Sequence, residues 1–310
     1  MPDNTFFAPP PLLISGVIVS CYVGGIYAGR SARPSYGKTA DLHNGERARQ
    51  PAERWRDDDG VIRARLKAAF LSTCINCGIV YLCVVSQEHN DNRWIKAIKP
   101  SIALLGLDLY RLGFRSVLPN FLIPILYTGP LTAQWLSETL PFQRYWTYKE
   151  SLKPIFSTWI GLRNFVVAPV TEEIVFRACL LAIDNLSRKT TSQMMFATPL
   201  WFGIAHLHHA YELYNKLGRT SSALNRVIIT SLIQMTYTTL FGAYASFLLL
   251  RTGSVIPAIT AHITANIMGL PQLGWELRQH PKHKLLICVA YLVGIVVFAS
   301  MSKPWTTPTS

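Results

Sequence analysis

Charge is scarce in this sequence, and acid is scarcer than base. Only 15% of the 310 residues are charged while 50% are hydrophobic, and 30 Lys and Arg outnumber 17 Asp and Glu. So little charge excludes an ordinary soluble domain, in which about a quarter of residues are charged. The six cysteines (Cys21, Cys74, Cys77, Cys83, Cys179, Cys288) all fall in or beside apolar stretches, where they act as small hydrophobes and imply no disulfide framework. The one C-x-x-C, Cys74 with Cys77, lies inside an apolar block without a second pair, which speaks against redox or zinc use. There is no H-E-x-x-H motif and no internal repeat. The tail before the first apolar block holds Asp3 but no Lys or Arg, so it lacks the basic leader of a cleaved signal and the block is expected to remain as an anchor.

What is present comes in apolar blocks, roughly 9–28, 68–87, 118–138, 157–182, 193–208, 227–250, 254–271 and 284–302. A bilayer core takes about 20 mostly apolar residues per helix, so the expected fold is an all-α polytopic integral membrane protein of about eight transmembrane helices. Residues 1–310 are read as a single membrane domain. Blocks five and seven are short and hold His206 and His262, which suits partly re-entrant or enclosed segments. Residues 101–117 place Asp108, Arg111 and Arg115 on roughly one side, as an interfacial amphipathic helix would. The polar segment 29–66 reads as a flexible soluble loop. The sequon Asn185-Leu186-Ser187 sits in a short loop and is a poor glycosylation acceptor.

The net charge of +13 is spread over the inter-helix loops, which is the pattern of topology rather than of nucleic-acid binding. Ten Lys and Arg lie in 30–67, and three each in 139–156, 209–226 and 272–284; the opposite loops are poorer. The positive-inside rule then places loop 30–67 in the cytosol and both termini in the lumen. Polar residues are sparse in the first three spans and concentrate between Arg163 and Asn266, so helices of 157–271 are the expected catalytic core.

The segment APVTEEIVFRACLL sets Glu172, Glu173 and Arg177 in an apolar stretch. A charge at the centre of a membrane helix costs about 2.5 to 3.5 kcal/mol, so three within two turns need pairing, water or a task. Glu173 and Arg177 stand at i and i+4 and can neutralise each other as a structural ion pair. Glu172 points about 100° away and is not accounted for by that pairing. Two further groups follow: His206 in PLWFGIAHLHH, and His262 with Asn266 at i and i+4 in ITAHITAN. An imidazole and an amide on one face can aim donors at one oxyanion. A carboxylate such as Glu172 beside His206 can hold and deprotonate water. Plainer readings stand beside these: Glu172 as a third member of the ion-pair network, His206, His262 and Asn266 as interhelical hydrogen-bonding groups, His208 and His209 as interfacial residues, and Phe202 as packing.

Three motifs in order carry a resemblance: E-E-x-x-x-R as Glu172, Glu173 and Arg177; F-x-x-x-H as Phe202 and His206; and H-x-x-x-N as His262 and Asn266. With their surroundings APVTEEIVFR, PLWFGIAHLHHAYE and GSVIPAITAHITANIMGLP, they make the chain similar to the CAAX prenyl endopeptidase family, the type II CAAX or Ras-converting proteases, within the wider group of CAAX proteases and bacteriocin-processing homologues. The motifs cover residues 165–271; the first 150 residues match only as hydrophobic spans. The resemblance implies a multi-pass endoplasmic-reticulum protease that removes the aaX tripeptide from prenylated CaaX proteins such as Ras-like small GTPases. It implies that Glu172 and His206 activate water and that His262 and Asn266 hold the oxyanion. Glu173, Arg177 and Phe202 are then support, membrane lipids are partners, and no cofactor is needed. Three rivals remain open at this stage: a zinc protease using Glu172, His206 and His262, a non-enzymatic scaffold or transporter with midplane charges, and a cysteine protease using Cys179, which has no histidine nearby in sequence.

Overall fold

Among the described residues four helices are long and apolar enough to cross a bilayer: Pro11–Ala28 of 18 residues, Asp59–Gln87 of 29, Ser221–Thr252 of 32 and Lys284–Trp305 of 22. The computed structural model describes residues 10–37, 42–43, 46–89, 91–108 and 114–307. The protein is a predominantly helical polytopic membrane protein of the all-α class that its apolar blocks predict. The remaining expected spans are built from shorter pieces, and prolines explain much of the division. Pro119, Pro124 and Pro130 fall in block 118–138, which becomes a 3-10 turn Phe114–Phe121 and the helices Leu122–Leu126 and Thr128–Leu136. Pro199 divides Thr191–Phe196 from Leu200–Ala205. Each proline withholds an N–H and crowds the preceding turn. Block 157–182 is a continuous helical run from Trp159 to Leu186, interrupted by wide π turns at Arg163–Val167 and Ile174–Cys179. Of the expected interfacial helix 101–117, residues 109–113 and the Arg115 side chain lie outside the described residues.

The long helices bury a stripe of mixed apolar, small and polar residues and leave many large apolar side chains exposed. In Pro11–Ala28, Ile14, Ser15, Ile18, Val19 and Tyr22 are buried at spacings of three and four, whereas Leu12 and Leu13 are 66% and 54% exposed. In Asp59–Gln87 the buried stripe runs through Arg65, Ala69, Ser72, Thr73 and Asn76, with Phe70 and Leu71 on the open side. Such an arrangement would aggregate in water; in lipid the exposed faces meet acyl chains and close packing of small residues joins the helices.

The chain divides into two compact units, one formed by Met1–Leu105 and Thr171–Phe247, the other by Gly106–Val170 and Leu248–Ser310. In the first, Asn76 Nδ2 donates to the Ile18 carbonyl at 3.2 Å, tying the first two long helices within their apolar contact. Residues 29–66, read from composition as a loop, carry a 3-10 turn Arg30–Ala32, an antiparallel pair Leu42–His43 with Glu46–Arg47, and a bridge between Ser35 and Arg54. Glu53 organises this segment: it is buried, is paired with Arg47, and accepts from Gly37 N–H at 2.7 Å and Trp55 Nε1–H at 2.8 Å. Burial alone would raise its carboxyl, but hydrogen bonds from Trp55, Gly37, Arg47 and Gln50 bring it down to about 2.

In the second unit Lys284–Trp305 packs against Leu122–Leu126 and Thr128–Leu136. Helix Ile256–Met268 is pinned along its length. Thr260 Oγ1 donates to Asn120 Oδ1 at 2.6 Å, and Tyr127 OH donates to the Gly269 carbonyl at 2.8 Å. Gly269 ends the helix at φ +66°, a left-handed conformation that glycine adopts without a Cβ clash.

Candidate functional site

The first unit holds Glu172, Glu173, Arg177, Phe202 and His206. Glu173 closes the α-helical stretch Ala168–Glu173, and Arg177 lies in the π turn that follows. Widened turns of this kind recur at functional sites because they re-aim side chains within an otherwise regular helix. The i,i+4 spacing is realised as an ion pair, with Arg177 Nε 3.1 Å from Glu173 Oε2 and side-chain exposures of 1% and 0%. Glu172, rotated away from it, is only half-buried.

Burying a guanidinium needs more than one carboxylate, and two aromatic rings assist. The Arg177 guanidinium carbon lies 4.0 Å from the Phe202 ring centre and 5.7 Å from that of Phe241, so the negative ring faces meet the cation in a dry environment. Phe202 therefore does more than fill space. Its ring also meets Phe176 at 5.0 Å and His206 edge-on at 4.4 Å. Phe176 continues to Tyr22 at 5.6 Å, whose hydroxyl hydrogen-bonds Thr171 Oγ1 at 2.8 Å.

His206 follows the short helix Leu200–Ala205 and is partly exposed. Its Nδ1 lies 2.8 Å from the Phe202 carbonyl. A carbonyl has no hydrogen to give, so Nδ1 carries the proton, and in the neutral ring Nε2 is the acceptor. Gly203 lets this helix approach its neighbour: a Cβ there would run into Thr239 Oγ1 and meet Met235 Cγ at 3.1 Å.

The second unit holds His262 and Asn266. Both are on helix Ile256–Met268, one turn apart, His262 buried and Asn266 exposed. Asn266 Nδ2 donates to the Asn164 carbonyl at 2.8 Å, which fixes the amide and leaves its second N–H for another acceptor. The structure thus joins Glu173, Arg177, Phe202 and His206 in one unit, and His262 and Asn266 on one helix of the other. Among the described residues no three His, Cys, Asp or Glu side chains are grouped as a metal ion would require.

A second polar cluster in the first unit was hidden from sequence reasoning, which took His208 and His209 as interfacial. Glu212, only 5% exposed, accepts from Arg65 Nη2 at 2.6 Å and from Tyr27 OH at 2.9 Å. His209 Nδ1 lies 3.5 Å from Glu212 Oε2 and 3.2 Å from Arg56 Nη1. Burial holds the His209 imidazole down to about 3, so the ring is neutral at physiological pH and accepts from the donor-only guanidinium. The His209 ring also meets the His206 ring at 5.7 Å and 65°. Only the i,i+3 spacing of His209 and Glu212 was visible locally; Arg65 lies 147 positions away.

The family model described as Type II CAAX prenyl endopeptidase Rce1-like matches residues 154–268. The chain is 32% identical to CAAX prenyl protease 2 of Homo sapiens over 301 residues, covering 93% of this chain and 78% of that protein. It is 40% identical to CAAX prenyl protease 2 of Saccharomyces cerevisiae over 242 residues, 72% of this chain and 74% of the relative. With CAAX prenyl protease 2 of Arabidopsis thaliana the identity is 41% over 152 residues, spanning 49% of this chain and 45% of the plant protein. No solved structure matches the chain.

Proposed function

Because the chain belongs to the type II CAAX prenyl endopeptidase family and is an enzyme of that kind, we propose that it removes the C-terminal aaX tripeptide from prenylated CaaX proteins, Ras-like small GTPases among them, at the endoplasmic-reticulum membrane. A prenyl chain gains about 0.8 kcal/mol per buried CH2, so the substrate arrives tethered to the leaflet with its C-terminus free to reach a site within the bilayer. Glu172 and His206 activate the water. His262 and Asn266 stabilise the oxyanion of the tetrahedral intermediate. Glu173 and Arg177 hold the helix, and Phe202 couples that pair to His206.

The observation that carries this reading is the His206 Nδ1 contact with the Phe202 carbonyl at 2.8 Å. It sets the tautomer in which Nε2 can take a proton, as a general base must. The same carbonyl belongs to the residue whose ring covers Arg177, so one residue orients the base and supports the ion pair. The chemistry as proposed uses no metal. The decisive experiment incubates purified protein with a farnesylated and an unmodified CaaX peptide and follows tripeptide release. Release from the farnesylated peptide, with little from the unmodified one, supports the reading. Release from neither would end it.

A further inference from the structure

The cluster around Glu212 takes no part in the chemistry above, and one of its members differs from the rest. Arg65 is a structural cation: its side chain is 9% exposed, it holds Glu212 at 2.6 Å, and its Nε donates to the Ala32 carbonyl at 3.0 Å. Arg56 stands at the open edge. Its side chain is 40% exposed, with Nε 3.9 Å from Glu212 Oε2 and Nη1 3.2 Å from His209 Nδ1. The backbone beside it is fixed by a turn, since Trp55 N–H donates to Asp58 Oδ2 at 2.9 Å and Asp58 N–H donates to the Trp55 carbonyl at 3.1 Å. Arg56 is therefore presented rather than adrift, and less freedom is lost when a ligand meets it.

Its position relative to His206 gives it a ligand. The His209 ring separates the two, 5.7 Å from the His206 ring centre and 3.2 Å by Nδ1 from Arg56 Nη1. These contacts put the guanidinium within about 10 Å of the His206 ring, and three extended residues also reach about 10 Å. A peptide with its scissile carbonyl beside His206 and its end three residues later thus has its terminal carboxylate in reach of Arg56.

We propose that Arg56, backed by His209 and Glu212, forms a subsite for the free α-carboxylate of the substrate, so that the enzyme measures the distance from the scissile bond to the chain end. This rests on the protease reading above. A guanidinium suits the task because its planar fork of N–H groups matches a carboxylate in a bidentate pair. The subsite favours release of a short C-terminal peptide, because a remnant much longer than three residues would carry its carboxylate past a guanidinium that lies within about 10 Å of the His206 ring.

The test compares two farnesylated peptides of one sequence, one ending in a carboxylate and one in a carboxamide, with wild-type protein, Arg56→Met and Arg56→Lys. Wild type is expected to prefer the acid by about 10- to 100-fold in kcat/KM, the range of a charge-assisted hydrogen bond. In Arg56→Met that ratio falls toward one, and in Arg56→Lys much of it returns. Equal turnover of acid and amide by wild type would overturn the subsite, as would an Arg56→Met variant that loses both peptides in the same proportion. Failure of the wild type on the acid peptide would strike the protease reading itself, and the subsite with it.

Discussion

The Arg177 guanidinium carbon lies over the Phe202 ring, 4.0 Å from its centre, and the His206 ring meets the same ring in a T-shaped arrangement with centres 4.4 Å apart. A buried cation and a candidate base thus share one aromatic neighbour, and a change to that ring is felt on both sides. Phe202→Leu keeps most of the apolar volume but removes the ring quadrupole. It is expected to cost about 2 kcal/mol of stability, the scale of a desolvated cation–π contact, and to lower kcat more than it raises KM, because His206 loses a wall. Thermal unfolding in detergent and steady-state kinetics on a farnesylated peptide check both effects.

Removing one member of the Glu173–Arg177 pair strands the other in a dry interior. Glu173→Gln and Arg177→Met are each expected to destabilise by about 3 to 5 kcal/mol. The double variant is expected to be milder than the sum of the singles, since the charges leave together. Unfolding midpoints of the three variants in one detergent measure the coupling, and additive losses would contradict it.

The proposed mechanism gives Glu172 the task of activating water, so Glu172→Gln is expected to abolish tripeptide release while leaving the unfolding midpoint near wild type. Asn266→Ala is expected to reduce kcat by about 10²- to 10³-fold, as loss of one oxyanion donor does. Turnover retained by Glu172→Gln would remove that residue from the chemistry.

The soluble segment carries its own acid dependence. Glu53 falls from 4.5 to about 2 in the folded protein. A depressed carboxyl contributes stability that is present above its unfolded value and lost as pH falls through its folded one. Residues 46–66 are expected to resist protease above pH 4.5 and to become progressively cleavable toward pH 2, and Glu53→Gln is expected to be cleavable there throughout. Limited proteolysis with an acid-active protease across that range reads the effect.

The proposed chemistry needs no metal, so strong chelators are expected to leave turnover on the farnesylated peptide unchanged. Activity lost to a chelator and restored by zinc would shift the assignment to a metal-bound water.

The helical membrane class was legible because apolar blocks of bilayer length announce themselves, and the Glu173–Arg177 pair because i,i+4 neighbours are local. The division into shorter helices was less so. A hydropathy window averages over Pro119, Pro124, Pro130 and Pro199, each of which removes a backbone N–H from the helical ladder without making the stretch polar. Three motifs in order pointed to the family that the relatives share. The role of Phe202 as a cation's platform was not legible, because its partner lies on another segment and a phenylalanine in an apolar run looks like any other. The Glu212 cluster was hidden for the same reason: Tyr27, Arg56 and Arg65 are brought to it only by tertiary folding.

The order in which the chain is made adds a constraint on Arg177. Its carboxylate partner precedes it by one turn, whereas both aromatic partners, Phe202 and Phe241, are translated later. When this segment leaves the ribosome and passes into lipid, Glu173 is the neighbour already at hand to neutralise the cation. Variants of Glu173 are therefore expected to be vulnerable while the chain is being inserted as well as in the finished fold.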